Sequence, residues 1–85
     1  MRYVILSKDG KEIPVITSNA VSDAQIDTMI VDLITDGYEV VSGGSLEIVH
    51  GMFSCSGVMF LSNVDADVGS RGGADEILIR SCDFV

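Results

Sequence analysis

Residues 22–37 read SDAQIDTMIVDLITDG, and this stretch decides the fold. Ser22 has the chemistry of a helix N-cap, and Gln25 three residues later completes a capping box in which two free backbone N–H groups are satisfied reciprocally. Asp23 places a negative charge in the first turn, where the helix dipole favours it. Ile26, Met29, Ile30 and Leu33 then fall on one stripe, widened by Ile34, at amphipathic helical spacing. Gly37 closes the segment, because glycine enters the left-handed region without a Cβ penalty. The spacing predicts one helix over 22–37. Its outer face carries Thr28, Asp32 and Thr35, flanked by Asp36, with Asp27 on the other border. No lysine or arginine lies within it. Asp23 with Asp27, and Asp32 with Asp36, are like-charge i,i+4 pairs, each unfavourable by about 0.2–0.5 kcal/mol. A solvated face accounts for such a pattern, and so does a docking site for a cationic partner.

Strand signals lie on both sides. Arg2–Ser7 (RYVILS) is apolar at consecutive positions, the mark of a strand buried on both faces and central in its sheet. Lys8-Asp9-Gly10 reads as a turn, with Asp-Gly its strongest signal. Lys11–Thr17 (KEIPVIT) is the return strand, placed at an edge by Pro14, which has no N–H to give to a ladder. After the helix, Tyr38–Val41 is a short strand and Ser42-Gly43-Gly44-Ser45 a flexible turn. Leu46–Phe53 and Gly57–Ser62 follow as strands, joined through Ser54–Gly57, with His50-Gly51 as the alternative turn. Glu76–Phe84 (EILIRSCDF) reads as the last strand by its alternation. Asn63–Asp75, rich in Gly and Ser, is the connecting loop and the most mobile part of the chain on composition. The expected fold class is α+β in two layers: an antiparallel β-sheet of five to six strands with one α-helix packed on a face, in ββαβββ-type order, forming a single domain over 1–85.

Composition narrows the function classes. Thirteen acids against five bases give a formal charge of −8, which disfavours direct nucleic-acid binding and anionic membranes and suits a basic protein surface. Hydrophobic residues make up 47% of 85 residues, and the mean hydropathy is +0.42. So small a domain cannot hide that much apolar surface by itself, so a homodimer or a larger partner is expected to cover the excess. No apolar run reaches the roughly 18 residues a bilayer span needs, and MRYVILSKDG turns polar too soon for a signal peptide. The expected location is cytoplasmic. Cys55 and Cys82 are then expected as reduced, buried thiols.

Few residues suggest chemistry. Asp65, Asp67 and Glu76 match positions 1, 3 and 12 of a calcium loop. However, Gly69, Ser70 and Arg71 stand where an acid or amide, the turn glycine and a carbonyl ligand belong, so no metal is expected. Arg71 is instead a loop cation available for a salt bridge or a partner. His50 has no fixed base or nucleophile beside it, and a Cys55–His50 thiol–imidazole pair has no support beyond proximity. Cys55 and Cys82 lack the C-x-x-C spacing of redox and zinc sites. The residues therefore suggest a non-enzymatic protein-binding module without a cofactor. Its partner-binding residues are Asp27, Asp32, Asp36, Asp65, Asp67 and Arg71. One form of that reading is a phage or mobile-element inhibitor that presents carboxylates where nucleic-acid phosphates would sit. The alternatives are a ligand- or ion-binding regulator using residues 63–75, and a structural or assembly subunit.

Overall fold

A computed structural model describes residues 1–82. β1 (Arg2–Lys8) and β2 (Lys11–Thr17) form the first hairpin, and α1 (Asp23–Met29) and α2 (Val31–Thr35) follow. Next come β3 (Glu39–Val49), β4 (Met52–Ser56), β5 (Val58–Leu61), β6 (Ala66–Gly69) and α3 (Gly73–Ser81). The strands form a four-stranded sheet in the order β2-β1-β3-β4 and a separate two-stranded ribbon, β5-β6. All pairs are antiparallel. The α+β class therefore stands, but two sheets and three helices replace the single sheet and single helix.

β1 lies between β2 and β3, and its alternating side chains feed two cores. Val4 and Leu6 pack with Ile26 and Ile30 of the helices and with Met59 and Leu61 of β5. Tyr3 and Ile5 point the other way and pack with Leu46, Cys55 and Ile79 of α3. The uninterrupted apolar run of β1 thus reflects burial on both sheet faces, and the domain has three layers instead of two. Pro14 sits on β2 at the open edge, opposite Ile5, where its missing N–H costs no ladder bond.

The expected single helix is one rod interrupted at Ile30. The capping box forms as read, with Ser22 and Gln25 exchanging hydrogen bonds. Ile30 has φ −93° and ψ −2° and separates α1 from α2, while Ile30 and Ile34 N–H still reach Ile26 and Ile30 carbonyls at 3.1 and 3.0 Å. The break falls just after Asp27, whose carbonyl accepts a 2.7 Å hydrogen bond from Asn63 Nδ2. A side chain capturing a helix carbonyl is a recognised source of such irregularity. The buried stripe is Ile26 and Ile30, with Leu33 and Ile34 half-buried, and Met29 turns outward. Gly37 closes the rod at φ +98°.

The structure departs from the expected elements at several places. First, Ser42–Ser45 is no turn, because β3 runs unbroken from Glu39 to Val49. The glycine pair answers to packing instead. A Cβ on Gly43 would lie 3.2 Å from Met59 Sδ, and one on Gly44 would lie 2.4 Å from the Ser56 carbonyl. Second, the β3–β4 hairpin closes through His50-Gly51, both at positive φ (51° and 76°), as in the twist-compatible two-residue turns. Ser54–Gly57 is therefore no hairpin loop, and Gly57 marks the passage from the main sheet to the ribbon. Third, the expected last strand is helix α3. Asp75 and Ile79 are buried and Leu78 and Cys82 half-buried, a helical spacing. Asp75 and Glu76 sit in the first turn and Arg80 in the last, each matching the helix dipole. Asp83 and Phe84 of that reading lie outside the described residues. The expected loop over 63–75 likewise carries β6 and the first turn of α3.

Candidate functional site

The rod α1–α2 and the ribbon β5–β6 pack on the same face of the main sheet, through Ile26, Ile30, Met59 and Leu61. Hydrogen bonds from Asn63 to Asp27 tie the ribbon to α1, so the outward sides of both face away from the same side of the main sheet. Asp32 is exposed on α2, Asp65 at the β5–β6 turn and Asp67 on β6. Asp67 lies opposite Phe60, which is itself exposed, so both point away from the core. Among the described residues the side chains of Asp32, Asp65 and Asp67 have no hydrogen-bond or ion-pair partner. Met29, Val31, Val58, Phe60 and Val64 are large exposed apolar residues on the same elements.

The electrostatics of this surface follow from the order of the chain. No lysine or arginine occurs from Glu12 to Ser70, the span that builds both α1–α2 and β5–β6. The cations of β1 reach only the margins. Arg2 pairs with Asp23, and Lys8 Nζ approaches Asp36 Oδ2 at 3.2 Å and its carbonyl at 2.7 Å. Lys8 also stands 5.4 Å from the centre of the Tyr38 ring. Asp36 therefore keeps a partner of its own at the rim, although the carboxylate remains well exposed.

Two of the sequence-derived partner residues sit elsewhere. The helical pattern puts Asp27 on the border of the solvated face, but the structure buries it at 9% exposure. Its Oδ1 accepts from Asn63 N–H at 3.0 Å, so it fastens the ribbon to the rod. Arg71 is not a free loop cation. Its guanidinium grips Glu12 with two hydrogen bonds of 2.9 and 3.0 Å, and its Nε donates to Asp75 Oδ1 at 2.8 Å.

Asp75, at the end of the expected loop over 63–75, is fully buried between α3 and the main sheet. Oδ1 accepts from Ser42 Oγ at 2.9 Å and from Arg71 Nε, and Oδ2 accepts from Tyr3 OH at 2.5 Å and from Arg71 N–H at 2.9 Å. Burial pushes this carboxyl up, but the donors from Tyr3, Arg71 and Ser42 outweigh it and hold it below the usual carboxylate range. The hydrogen bonds of Arg71 lower Glu12 in the same direction. Burial, helped by the Asp75 charge, raises Tyr3 well above ordinary tyrosines. All four acceptor positions of Asp75 are satisfied internally, so the cluster is an anchor for α3 and offers nothing to a substrate. The clue in the sequence was Asp75-Glu76 after Gly72-Gly73, a helix N-terminal composition.

The remaining chemical candidates do not converge. Asp65 and Asp67 lie on the ribbon, whereas Glu76 is on α3 and accepts from Cys55 N–H at 3.0 Å. Among the described residues no group of three potential metal ligands comes together. His50 is exposed at a hairpin tip, Cys55 is buried in the core beneath α3, and both cysteines are free thiols. No helix of the described residues is long and apolar enough to cross a membrane. Comparison with family models, with curated proteins and with solved structures finds no match to this chain.

Proposed function

We propose that the protein is a non-enzymatic binding module whose α1–α2 and β5–β6 layer takes a cationic protein surface. One observation carries this reading: Asp32, Asp65 and Asp67 stand unpaired among exposed Met29, Val31, Phe60 and Val64 on elements that contain no lysine or arginine. Carboxylates of this kind steer a basic partner over long range, and the apolar side chains between them supply contact area once it docks. Inhibition of a nucleic-acid-binding protein is the form of binding this surface suits best, because such a partner is basic where phosphates sit. Asp32, Asp65 and Asp67 carry the contact, and Asp36 extends it at the rim.

The test is capture from a lysate by wild type and by an Asp32→Lys, Asp65→Lys, Asp67→Lys triple variant, with thermal melting as a folding control. Binding that weakens steeply with salt and disappears in the triple variant supports the reading. Binding indifferent to both sinks it. The exposed apolar residues favour one competing occupant, a second copy of this chain. Sedimentation at several concentrations separates that assembly from a heterologous complex.

A further inference from the structure

β4 is the open edge of the main sheet opposite β2. The β2 edge is guarded by Pro14, which has no N–H at mid-strand. β4 has no such guard along most of its length. In its pairing with β3, Val49 and Met52 flank the two-residue turn, and Ile48 lies opposite Phe53 and Leu46 opposite Cys55. Leu46 spends its own N–H and C=O on Met1, on the side away from β4. By the alternation of antiparallel ladders, the N–H and C=O of Phe53 and Cys55 therefore point outward from β4. Glu76 takes the Cys55 N–H. The outward groups of Phe53 have no partner among the described residues.

α3 runs alongside this edge. Gly73, Glu76, Ile77 and Arg80 are spaced i, i+3, i+4 and i+7, so one stripe of the helix faces the strand. Between that stripe and Gly51–Phe53 lies a groove of about 390 Å³. Its walls are largely apolar, and Met52 and Ile77 are 66% and 58% exposed. Arg80 is its cation. Arg2, Lys8 and Arg71 are engaged in ion pairs within the chain, whereas Arg80, and Lys11 on β2, have none among the described residues. An unpaired cation beside an apolar wall, on a chain of net charge −8, selects an occupant that carries a carboxylate.

We propose that the β4–α3 groove binds an extended peptide segment of a partner, presenting an apolar side chain with a carboxylate close by. The segment adds to β4 as a further strand and pairs with the N–H and C=O of Phe53. Its apolar side chain enters between Met52 and Ile77, and its carboxylate meets Arg80. Glu76, held on Cys55, closes the groove at one end and limits the pairing to the hairpin half of β4. The polarity is opposite to that of the α1–α2 layer, so this site does not depend on the function proposed above.

A display library of random peptides, panned against the full chain, tests the proposal. Enriched peptides are expected to share an apolar residue with Asp or Glu within two positions. A labelled synthetic copy of the most enriched peptide should bind at least tenfold more weakly to Arg80→Glu and to Ile77→Lys, both surface changes that leave the melting temperature near wild type. The same peptide should slow hydrogen exchange at the Phe53 amide. No enrichment, equal binding to Arg80→Glu, or exchange slowed only on the α1–α2 layer would overturn the proposal. So would an unliganded dimer in which the Phe53 amide is already protected, because a second copy would then be the occupant.

Discussion

Asp75→Asn should destabilise the domain by about 2–4 kcal/mol, and the geometry sets that range. The change is nearly isosteric, so packing alone is preserved. Asparagine turns one acceptor oxygen into a donor. If that donor replaces Oδ1 it faces Arg71 Nε–H, and if it replaces Oδ2 it faces Arg71 backbone N–H. The Tyr3 and Ser42 hydroxyls can rotate to accept, but neither Arg71 group can. One part-buried donor is therefore orphaned in either orientation, at about 1–3 kcal/mol. Removing one partner of a buried ion pair costs about 3–5 kcal/mol. Arg71 is a third exposed and keeps Glu12, which places this case toward the lower end. For a domain this small, with stability of order 5–15 kcal/mol, the loss lowers Tm by roughly 10–20 °C. Urea denaturation followed by circular dichroism at neutral pH measures it. Tyr3→Phe, which leaves three of the four hydrogen bonds, should cost less, about 1.5–3 kcal/mol. An Asp75→Asn variant within about 0.5 kcal/mol of wild type would refute the idea that this carboxylate anchors α3.

The same anchor predicts an acid limb. Asp75 and Glu12 both have lowered folded pKa values. Their stabilisation is therefore complete above the ordinary carboxylate value of about 4 and is lost as pH falls through the folded values. Denaturation midpoints against pH should drop steeply below about 4, and Asp75→Asn should flatten that drop; a limb unchanged in the variant would speak against it. Gly44→Ala should destabilise more than Gly51→Ala. The added Cβ at Gly44 meets Ser56 O at 2.4 Å, whereas Gly51 has nothing within 4 Å and bears only positive-φ strain. Overpacking adds about 1–3 kcal/mol, so equal melting temperatures would contradict the tight β3–β4 crossing. Burial raises the Cys55 thiol and seals it under α3. A thiol reagent at neutral pH should therefore label Cys82 first and reach Cys55 only on unfolding; rapid double labelling of the native chain would show α3 to be loosely held.

Local signals explain what was legible in the sequence. The capping box at Ser22–Gln25, the two-sided burial of β1, the edge position of Pro14 and the first hairpin all follow from residues close in sequence. The failures each involve a distant partner or an ambiguous period. Gly43-Gly44 carries a turn signal, but the need for glycine comes from Met59 and Ser56 packing against β3. Residues 76–80, EILIR, fit a strand or one helical face equally well over so few positions. Only Asp75 and Glu76 at the start of the stretch and Arg80 at its end favour the helix. Asp27 turns inward because Asn63 lies against it, 36 residues on. For the candidate surface, Asp32, Asp65 and Asp67 were identifiable as acids without neighbouring cations. A salt bridge is one of the two roles the sequence leaves to Arg71, but its partners are not legible there, since Glu12 and the buried carboxylate of Asp75 are brought to it by the tertiary fold.

Unpaired carboxylates on the α1–α2 and β5–β6 layer are proposed to recruit a basic protein. Quantitative capture from lysate, wild type against the Asp32, Asp65, Asp67 charge reversal, at low salt and again at about 1 M salt where the screening length is about 3 Å, tests this most directly. The expected result is a partner retained only by the wild type and only at low salt. A partner held equally by both proteins, or one that survives high salt undiminished, would contradict it.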